Sequence, residues 1–86
     1  RASTGSVPDF AFSGEGVRIS SVLDDSPAAK AGLKEGDIIT AFDGEKVVDL
    51  KAYSNALKKH QPGDEVKMMI LRDGAEMEVK ITLGER

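Results

Sequence analysis

The chain has 86 residues, of which 40% are hydrophobic and 31% are charged, and its net charge at pH 7 is −3. This length provides for one domain with one modest core, which buries roughly 60–65% of the surface that the unfolded chain exposes. The composition is that of a globular protein and excludes intrinsic disorder. Because basic and acidic residues are interspersed, the sequence offers no basic face to nucleic acid or to a membrane surface.

The sequence carries no redox or targeting signal. It has no cysteine, which excludes disulfides and thiolate chemistry. No apolar run approaches the roughly 18–20 residues that span a bilayer, and no signal peptide opens the chain. Because the chain starts abruptly at Arg1, we expect it to be a piece excised from a longer protein.

The first third of the chain predicts two paired strands. Residues 1–4 are polar, and we expect them to be disordered or a linker. Residues 5–12 have strand-like side chains, but Pro8 cannot donate a hydrogen bond to a sheet ladder, so this strand should lie at a sheet edge. After a glycine-containing turn, residues 17–22 alternate in polarity and predict a second strand, paired with the first as a hairpin.

The central stretch has the signals of a helix, a turn and a strand in succession. Ser26 can cap the helix, and Pro27 suits its first position because the missing N–H costs nothing there. Gly32 can take the left-handed conformation that ends the helix. The apolar run Ile38–Phe42 then predicts a strand that is bounded by Gly-Asp and Asp-Gly turns.

The second half predicts a longer helix and a hairpin. A very short strand near residues 46–48 precedes a helix over residues 49–59, with Asp49 as its cap and one apolar stripe. Residues 65–83 predict a hairpin, because Asp73-Gly74 is a strong turn signal between two apolar-patterned runs. The sequence therefore predicts an α+β fold: a small antiparallel β-sandwich or partly open barrel of five to six strands, capped by two helices.

No group of residues typical of a catalytic or metal site is present. His60 is the only histidine, which excludes a multi-histidine zinc site, and we interpret it as a solvated residue at a helix end. No serine lies in a Gly-x-Ser-x-Gly motif. We interpret the carboxylates of Asp24 and Asp25 as negative charges that interact favourably with the positive N-terminal end of the following helix. The sequence thus predicts no catalytic and no metal-ligating residue in this chain.

The ordered stretch SPAAKAGLKEGDIITAFDG, residues 26–44, resembles the core signature of a PDZ domain, a small peptide-binding module. The resemblance covers nearly the whole chain and implies a single PDZ domain over residues 5–84, with residues 85–86 as a tail. The segments GSVPDF, GVRISSV and LRDG are most similar to the C-terminal PDZ-like domain of secreted bacterial zinc aminopeptidases, and HtrA-type serine proteases carry related modules.

The resemblance implies a non-catalytic module of a larger bacterial peptidase, either a zinc aminopeptidase or a serine protease, in the periplasm or outside the cell. Its partners would be peptide or protein segments and the catalytic domain of the parent protein, with neither nucleic acid nor membrane among them. This domain is expected to need no cofactor, since zinc would belong to the catalytic domain of an aminopeptidase parent.

PDZ domains bind an extended peptide, usually a C-terminus, as an added strand between an edge strand and the longer helix. A glycine-containing loop at the start of the edge strand aims N–H groups at the terminal carboxylate. The usual Gly-Leu-Gly-Phe loop falls on residues 3–6 of this chain. The resemblance therefore implies that the peptide-binding residues are Thr4, Gly5, Ser6, Val7, Leu50, Ser54 and Leu57.

Three positions bear on ligand choice. At the position of Leu50, a histidine would select ligands that have Ser or Thr two residues before their C-terminus. The side chain of Leu50 instead favours ligands with an apolar residue at that position. Arg18, on the neighbouring strand, is interpreted as a solvated charge. Pro8 has no N–H to bond a ligand, which leaves a second hypothesis open: a structural or regulatory module that packs on the parent catalytic domain and binds no free peptide.

Overall fold

The computed structural model describes residues 1–86 and contains eight strands and two helices. The strands are β1 (Ala2–Ser3), β2 (Ser6–Pro8), β3 (Val17–Val22), β4 (Ile38–Phe42), β5 (Glu45–Lys46), β6 (Glu65–Arg72), β7 (Ala75–Thr82) and β8 (Gly84–Glu85), and the helices are α1 (Pro27–Lys30) and α2 (Leu50–Lys58). Six strands form the main antiparallel sheet in the order β2-β3-β4-β6-β7, with β5 beside β4, while β1 and β8 form a separate ribbon. The predicted α+β class is confirmed.

The β6–β7 hairpin forms as the sequence predicts. Asp73 and Gly74 both have positive φ, +53° and +81°, which is the conformation of a two-residue turn that matches the twist of the flanking strands. Along β7 the side chains of Val79 and Ile81 are buried, whereas their neighbours Glu78 and Lys80 are exposed. Alternation of polarity therefore places one face of the hairpin on the core.

Both helices begin at the residues that the sequence indicates. The Ser26 hydroxyl accepts a hydrogen bond from the N–H of Ala29 at 3.1 Å, and Pro27 is the first helical residue. The Asp49 carboxylate accepts from the N–H of Ala52 at 2.8 Å. Each cap satisfies a backbone donor that the helix itself leaves unpaired. Neither helix is long and apolar enough to cross a membrane.

The core lies between the sheet and α2. Ile39 and Phe42 of β4 and Met68 of β6 are fully buried. The ring of Phe42 meets the ring of Tyr53 edge-to-face, with centroids 5.9 Å apart and planes at 85°. This contact packs α2 against the sheet.

The ends of the chain differ from the predicted linker and tail. Ala2 pairs with Glu85 and Ser3 with Gly84, and the next residue, Thr4, is only 3% exposed. The polar composition of residues 1–4 predicted disorder or a linker, but residues 2 and 3 find a pairing partner at the other end of the chain. Tertiary pairing therefore orders residues whose local sequence carries no strand signal.

The first strand of the main sheet lies at an edge, as predicted, but it is shorter than residues 5–12. It ends at Pro8, where a bulge follows Val7. The carboxylate of Asp9 accepts from the N–H of Ala11 at 3.0 Å and turns the chain away. The short strand after β4 comprises Glu45–Lys46 rather than residues 46–48.

The interpretation of His60 as a solvated residue is wrong. Its side chain is 13% exposed, and its ring packs edge-on against Phe42 with centroids 5.3 Å apart. The ring nitrogen Nε2 lies 2.9 Å from a carboxylate oxygen of Asp43, and Nδ1 lies 2.9 Å from the carbonyl of Ala56. The fold brings the β4–β5 turn against the end of α2. The local sequence pattern of neither segment predicts this contact.

Candidate functional site

A groove lies between the edge strand β2 and helix α2. Since β2 pairs only with β3, its other edge carries no strand and faces the groove. The groove has a volume of about 540 Å³. Its lining includes all seven residues that the resemblance implied, namely Thr4, Gly5, Ser6, Val7, Leu50, Ser54 and Leu57. The remaining lining residues are Ala2, Ser3, Pro8, Phe10, Leu23, Tyr53 and Arg86.

The backbone of Ser6 is directed towards the groove. The carbonyl of Gly5 accepts from the N–H of Leu23 at 2.9 Å, so Gly5 faces β3. Because consecutive residues of a strand direct their backbone groups to opposite sides, the N–H and carbonyl of Ser6 face the groove. That N–H has only a long contact, 3.4 Å, with Thr4 Oγ1. Pro8, the next residue with this orientation, carries no N–H.

The loop over residues 3–6 is fixed to α1. Gly5 has φ +75°, and a Cβ added to it would lie 2.3 Å from the Cβ of Ser26, so only glycine fits there. The carbonyl of Thr4 accepts from the N–H of Ala28 at 2.8 Å. The backbone amides of the loop are thus held in place before any ligand arrives.

The same loop is tied to α2 by hydroxyl groups. Thr4 Oγ1 lies 2.7 Å from the hydroxyl of Tyr53 and 2.9 Å from the hydroxyl of Ser6. Tyr53 is a buried residue of α2, and it is not among the seven residues that the resemblance implied. The signal that was available is chemical, because a buried tyrosine hydroxyl needs a hydrogen-bond partner. The side chain of Thr4 therefore joins the two walls of the groove instead of lining an apolar pocket.

Helix α2 supplies an apolar wall. Leu50, Ser54 and Leu57 are spaced four and three residues apart, which places them on one face of the helix. Each is half-buried, while Tyr53 and Ala56 are buried beneath them in the core. The groove face of α2 is thus distinct from its core face.

The β2–β3 loop, residues 9–16, lies at one end of the groove, which Phe10 lines. Arg18 donates to Asp9 from Nε at 2.9 Å and from Nη2 at 2.6 Å, and its guanidinium carbon lies 4.7 Å from the centre of the Phe12 ring. Hydrogen bonding to Arg18 holds the pKa of the Asp9 carboxyl below its ordinary value. Arg18 therefore anchors this loop, while 41% of its side chain stays exposed, as expected for a solvated charge.

The groove suits the binding of a backbone and of apolar side chains. No Asp, Glu or His side chain lines it; these are the side chains that most often act as general acid or base. No cluster of three or more His, Cys, Asp or Glu side chains anywhere in the structure is arranged to hold a metal ion.

The sequence is similar to parts of known bacterial proteases. A probable periplasmic serine endoprotease, DegP-like, of Chlamydia trachomatis is 38% identical over 70 residues, which are 81% of this chain and 14% of that protein. The periplasmic pH-dependent serine endoprotease DegQ of Escherichia coli is 40% identical over 68 residues, 79% of this chain and 15% of that protein. The chain thus spans only a small part of the length of these relatives.

Solved structures show the same fold. The HtrA-type protease AlgW with decapeptide has a TM-score of 0.89 at 24% identity, covering 100% of this chain and 30% of that one. An aminopeptidase N family protein from Idiomarina loihiensis has a TM-score of 0.88 at 28% identity, covering 99% of this chain and 14% of that one. A family model described as PDZ domain matches residues 4–83. The chain therefore belongs to the PDZ domain family.

Proposed function

We propose that this domain is the non-catalytic peptide-binding module of a larger bacterial peptidase, and that extended peptide segments or C-termini add to β2 as a further strand opposite α2. The observation that carries the proposal is the unpaired edge of β2, which faces the apolar wall formed by Leu50 and Leu57 across an open groove. An unpaired strand edge supplies ladder hydrogen bonds, and side-chain pockets beside it supply specificity. A solved relative, AlgW, is described with a decapeptide.

The loop over residues 3–6 would receive the terminal carboxylate. Backbone N–H groups at a tight glycine-containing turn form a concave site for an anion, and Gly5 supplies that turn. The carbonyl of Ser6 would accept from the N–H of the last ligand residue. The last side chain would then lie beside Leu57, and the side chain two residues upstream would lie beside Leu50.

The relatives support a proposal for the compartment and the parent protein of this domain. Two relatives are described as periplasmic serine endoproteases, and a structural neighbour is an aminopeptidase N family protein. We place the domain in the periplasm or outside the cell, as part of either kind of peptidase. The parent catalytic domain would be its permanent partner and would hold zinc in the aminopeptidase case.

The test is a binding titration of the 86-residue chain with fluorescent peptides that end in apolar residues. We expect saturable binding that weakens when the terminal carboxylate is amidated. Leu50→Lys should weaken binding by about ten-fold or more, because loss of one buried leucine contact amounts to about 1.5–3 kcal/mol. Asn55→Lys adds the same charge to the exposed side of α2 and should leave the affinity unchanged.

A second candidate function is the structural or regulatory module that packs on the parent catalytic domain. Pro8 favours it, because the edge strand lacks an N–H at a position where a bound peptide would accept a hydrogen bond. If it is correct, no peptide in the titration will bind, and the isolated domain will bind the separately produced catalytic domain of its parent.

A further inference from the structure

The groove does not end at Leu50. A second cavity of about 350 Å³ lies between the β2–β3 loop and the N-terminus of α2. Pro8, Phe10 and Leu50 line both cavities, so the second cavity is adjacent to the groove. We call this second cavity the upstream pocket, because a peptide that ends at the loop over residues 3–6 would reach it with residues that precede its C-terminus.

Exposed apolar side chains gather along this path. The chain has four large hydrophobic side chains that are strongly exposed, and three of them line the groove or the upstream pocket. Phe10 is 78% exposed and lines both cavities, Leu23 is 57% exposed and lines the groove, and Val48 is 41% exposed and lines the upstream pocket. Exposed apolar surface that is concentrated beside one cavity is typical of a binding site.

The walls of the upstream pocket are held in position. Asp9, Arg18 and Phe12 are joined by the ion pair and the ring contact described above. Across the pocket, the N–H of Gly16 donates to the carbonyl of Val48 at 2.9 Å and ties the loop to the entry of α2. A pocket that is formed before binding loses little conformational entropy when the ligand arrives.

Helix and strand geometry give the ligand residue that would enter the pocket. Leu57 and Leu50 are seven residues apart, or about 10 Å along the helix, and an extended peptide advances about 3.3 Å per residue. A ligand therefore needs about three residues to pass from one leucine to the other. Alternate side chains of an extended peptide face the same way. The side chains of the last ligand residue and of the ligand residues two and four positions before it would therefore face α2. The ligand residue four positions before the end would lie past Leu50.

The chemistry of the pocket favours an apolar side chain. Phe10, Val48 and Leu50 offer carbon surface, and each buried CH₂ group stabilises a complex by about 0.8 kcal/mol. The two carboxylates in the lining already have partners, since Asp9 pairs with Arg18 and Asp49 caps α2. The charge of Asp9 is therefore already balanced by that of Arg18.

We propose that the upstream pocket is a specificity subsite for an apolar side chain four residues before the C-terminus of the bound peptide. This inference rests on the proposed strand addition in the groove. It restricts the proposed ligands to peptides that have apolar residues at the last position and at the positions two and four residues before it.

The test uses two fluorescent peptides of about eight residues that differ only in having Leu or Ser four residues before the end. We expect the Leu peptide to bind about five-fold or more tightly, because several CH₂ groups leave water. Val48→Ser and Phe10→Ser should each bring the affinity for the Leu peptide close to that for the Ser peptide. Met77→Ser removes a similarly exposed apolar side chain from β7, outside both cavities, and should keep the full preference.

The possible results separate the two proposals. Equal binding of both peptides by the native chain would reject the upstream pocket and leave strand addition standing. A preference for Leu that survives in Val48→Ser and Phe10→Ser would also reject it. Absence of binding by either peptide would reject the proposed function and the upstream pocket together.

Discussion

Gly5 illustrates how one residue controls the geometry of the groove. Its positive φ turns the loop over residues 3–6, and its missing Cβ lets the backbone lie against Ser26. By resemblance, Gly5 is a glycine of the carboxylate-binding loop. That this glycine touches the cap of α1, 21 positions away in the sequence, became evident only in the folded structure.

Gly5→Ala should lower the free energy of unfolding by about 3 kcal/mol, because it combines a strained left-handed backbone with overpacking against Ser26. Gly63→Ala is the matched control, since Gly63 has φ +94° and no atom within 4 Å of an added Cβ; only the backbone cost of about 1–2 kcal/mol applies there. Urea unfolding followed by far-ultraviolet circular dichroism measures both variants. Equal losses would mean that the loop moves away from Ser26 at no cost.

At the scale of elements, a buried ion pair joins the turn before β4 to the end of β6. Asp37 is 2% exposed and accepts from Arg72 Nε at 2.9 Å and from Nη2 at 2.8 Å. Arg72 also donates to the carbonyl of Gly32 at 2.9 Å. Burial by itself would raise the pKa of Asp37, but the hydrogen bonds from Arg72 and from the N–H of Lys34 outweigh it and hold that pKa below its ordinary value. The carboxylate is therefore charged in the folded protein.

Arg72→Met should destabilise the domain by about 3 kcal/mol, because it leaves a charged carboxylate buried without its partner. Lys59→Met removes one member of an exposed ion pair, with Glu45 at 2.9 Å, and should cost less than about 1 kcal/mol. Urea unfolding near neutral pH compares the two variants. If Arg72→Met costs no more than Lys59→Met, the buried pair does not hold the turn to the sheet.

For the whole molecule, titration of two groups predicts how stability depends on pH. The hydrogen bond to Asp43 and then the one to the Ala56 carbonyl raise the pKa of His60 above its ordinary value of 6.5, assisted by the charge of Asp64. Protonated His60 can donate to both acceptors at once. The cavity that His60 lines is also lined by three basic residues, Arg1, Lys58 and Arg86. Their positive charges oppose the protonation of His60. The pKa of His60 is nevertheless raised.

The sign of each effect follows from linkage between proton binding and folding. Because the pKa of His60 is raised by folding, its stabilisation is complete below about pH 6.5 and is lost as pH rises through the folded-state value. Because the pKa of Asp37 is lowered, its stabilisation is present above about pH 3.8 and is lost as pH falls through the folded-state value. Stability should therefore be greatest between these limits.

His60→Gln should flatten the decline of the free energy of unfolding above pH 6.5, since the glutamine does not titrate. Urea unfolding of the native chain and of the variant, at several values between about pH 5 and pH 8, measures the difference. Lys59→Met, which alters the adjacent residue, should keep the native slope. An unchanged slope in His60→Gln would show that His60 has the same affinity for protons in the folded and unfolded states.

The sequence by itself determined the order of the elements from β2 to β7, the two helix caps, the β6–β7 turn and the family. These features depend on residues within a few positions of one another, where backbone preference and side-chain periodicity decide the outcome. Resemblance also supplied seven of the fourteen residues that line the groove, because a family motif fixes positions relative to its strands and helices.

Only the tertiary structure decided the contacts that join distant parts of the chain. Thr4 and Tyr53 are 49 positions apart, Asp37 and Arg72 are 35 apart, and Asp43 and His60 are 17 apart. The β1–β8 ribbon and the upstream pocket likewise combine segments that are remote in sequence. Such contacts form because packing the core brings these segments together, and the local pattern of either partner carries no information about the other.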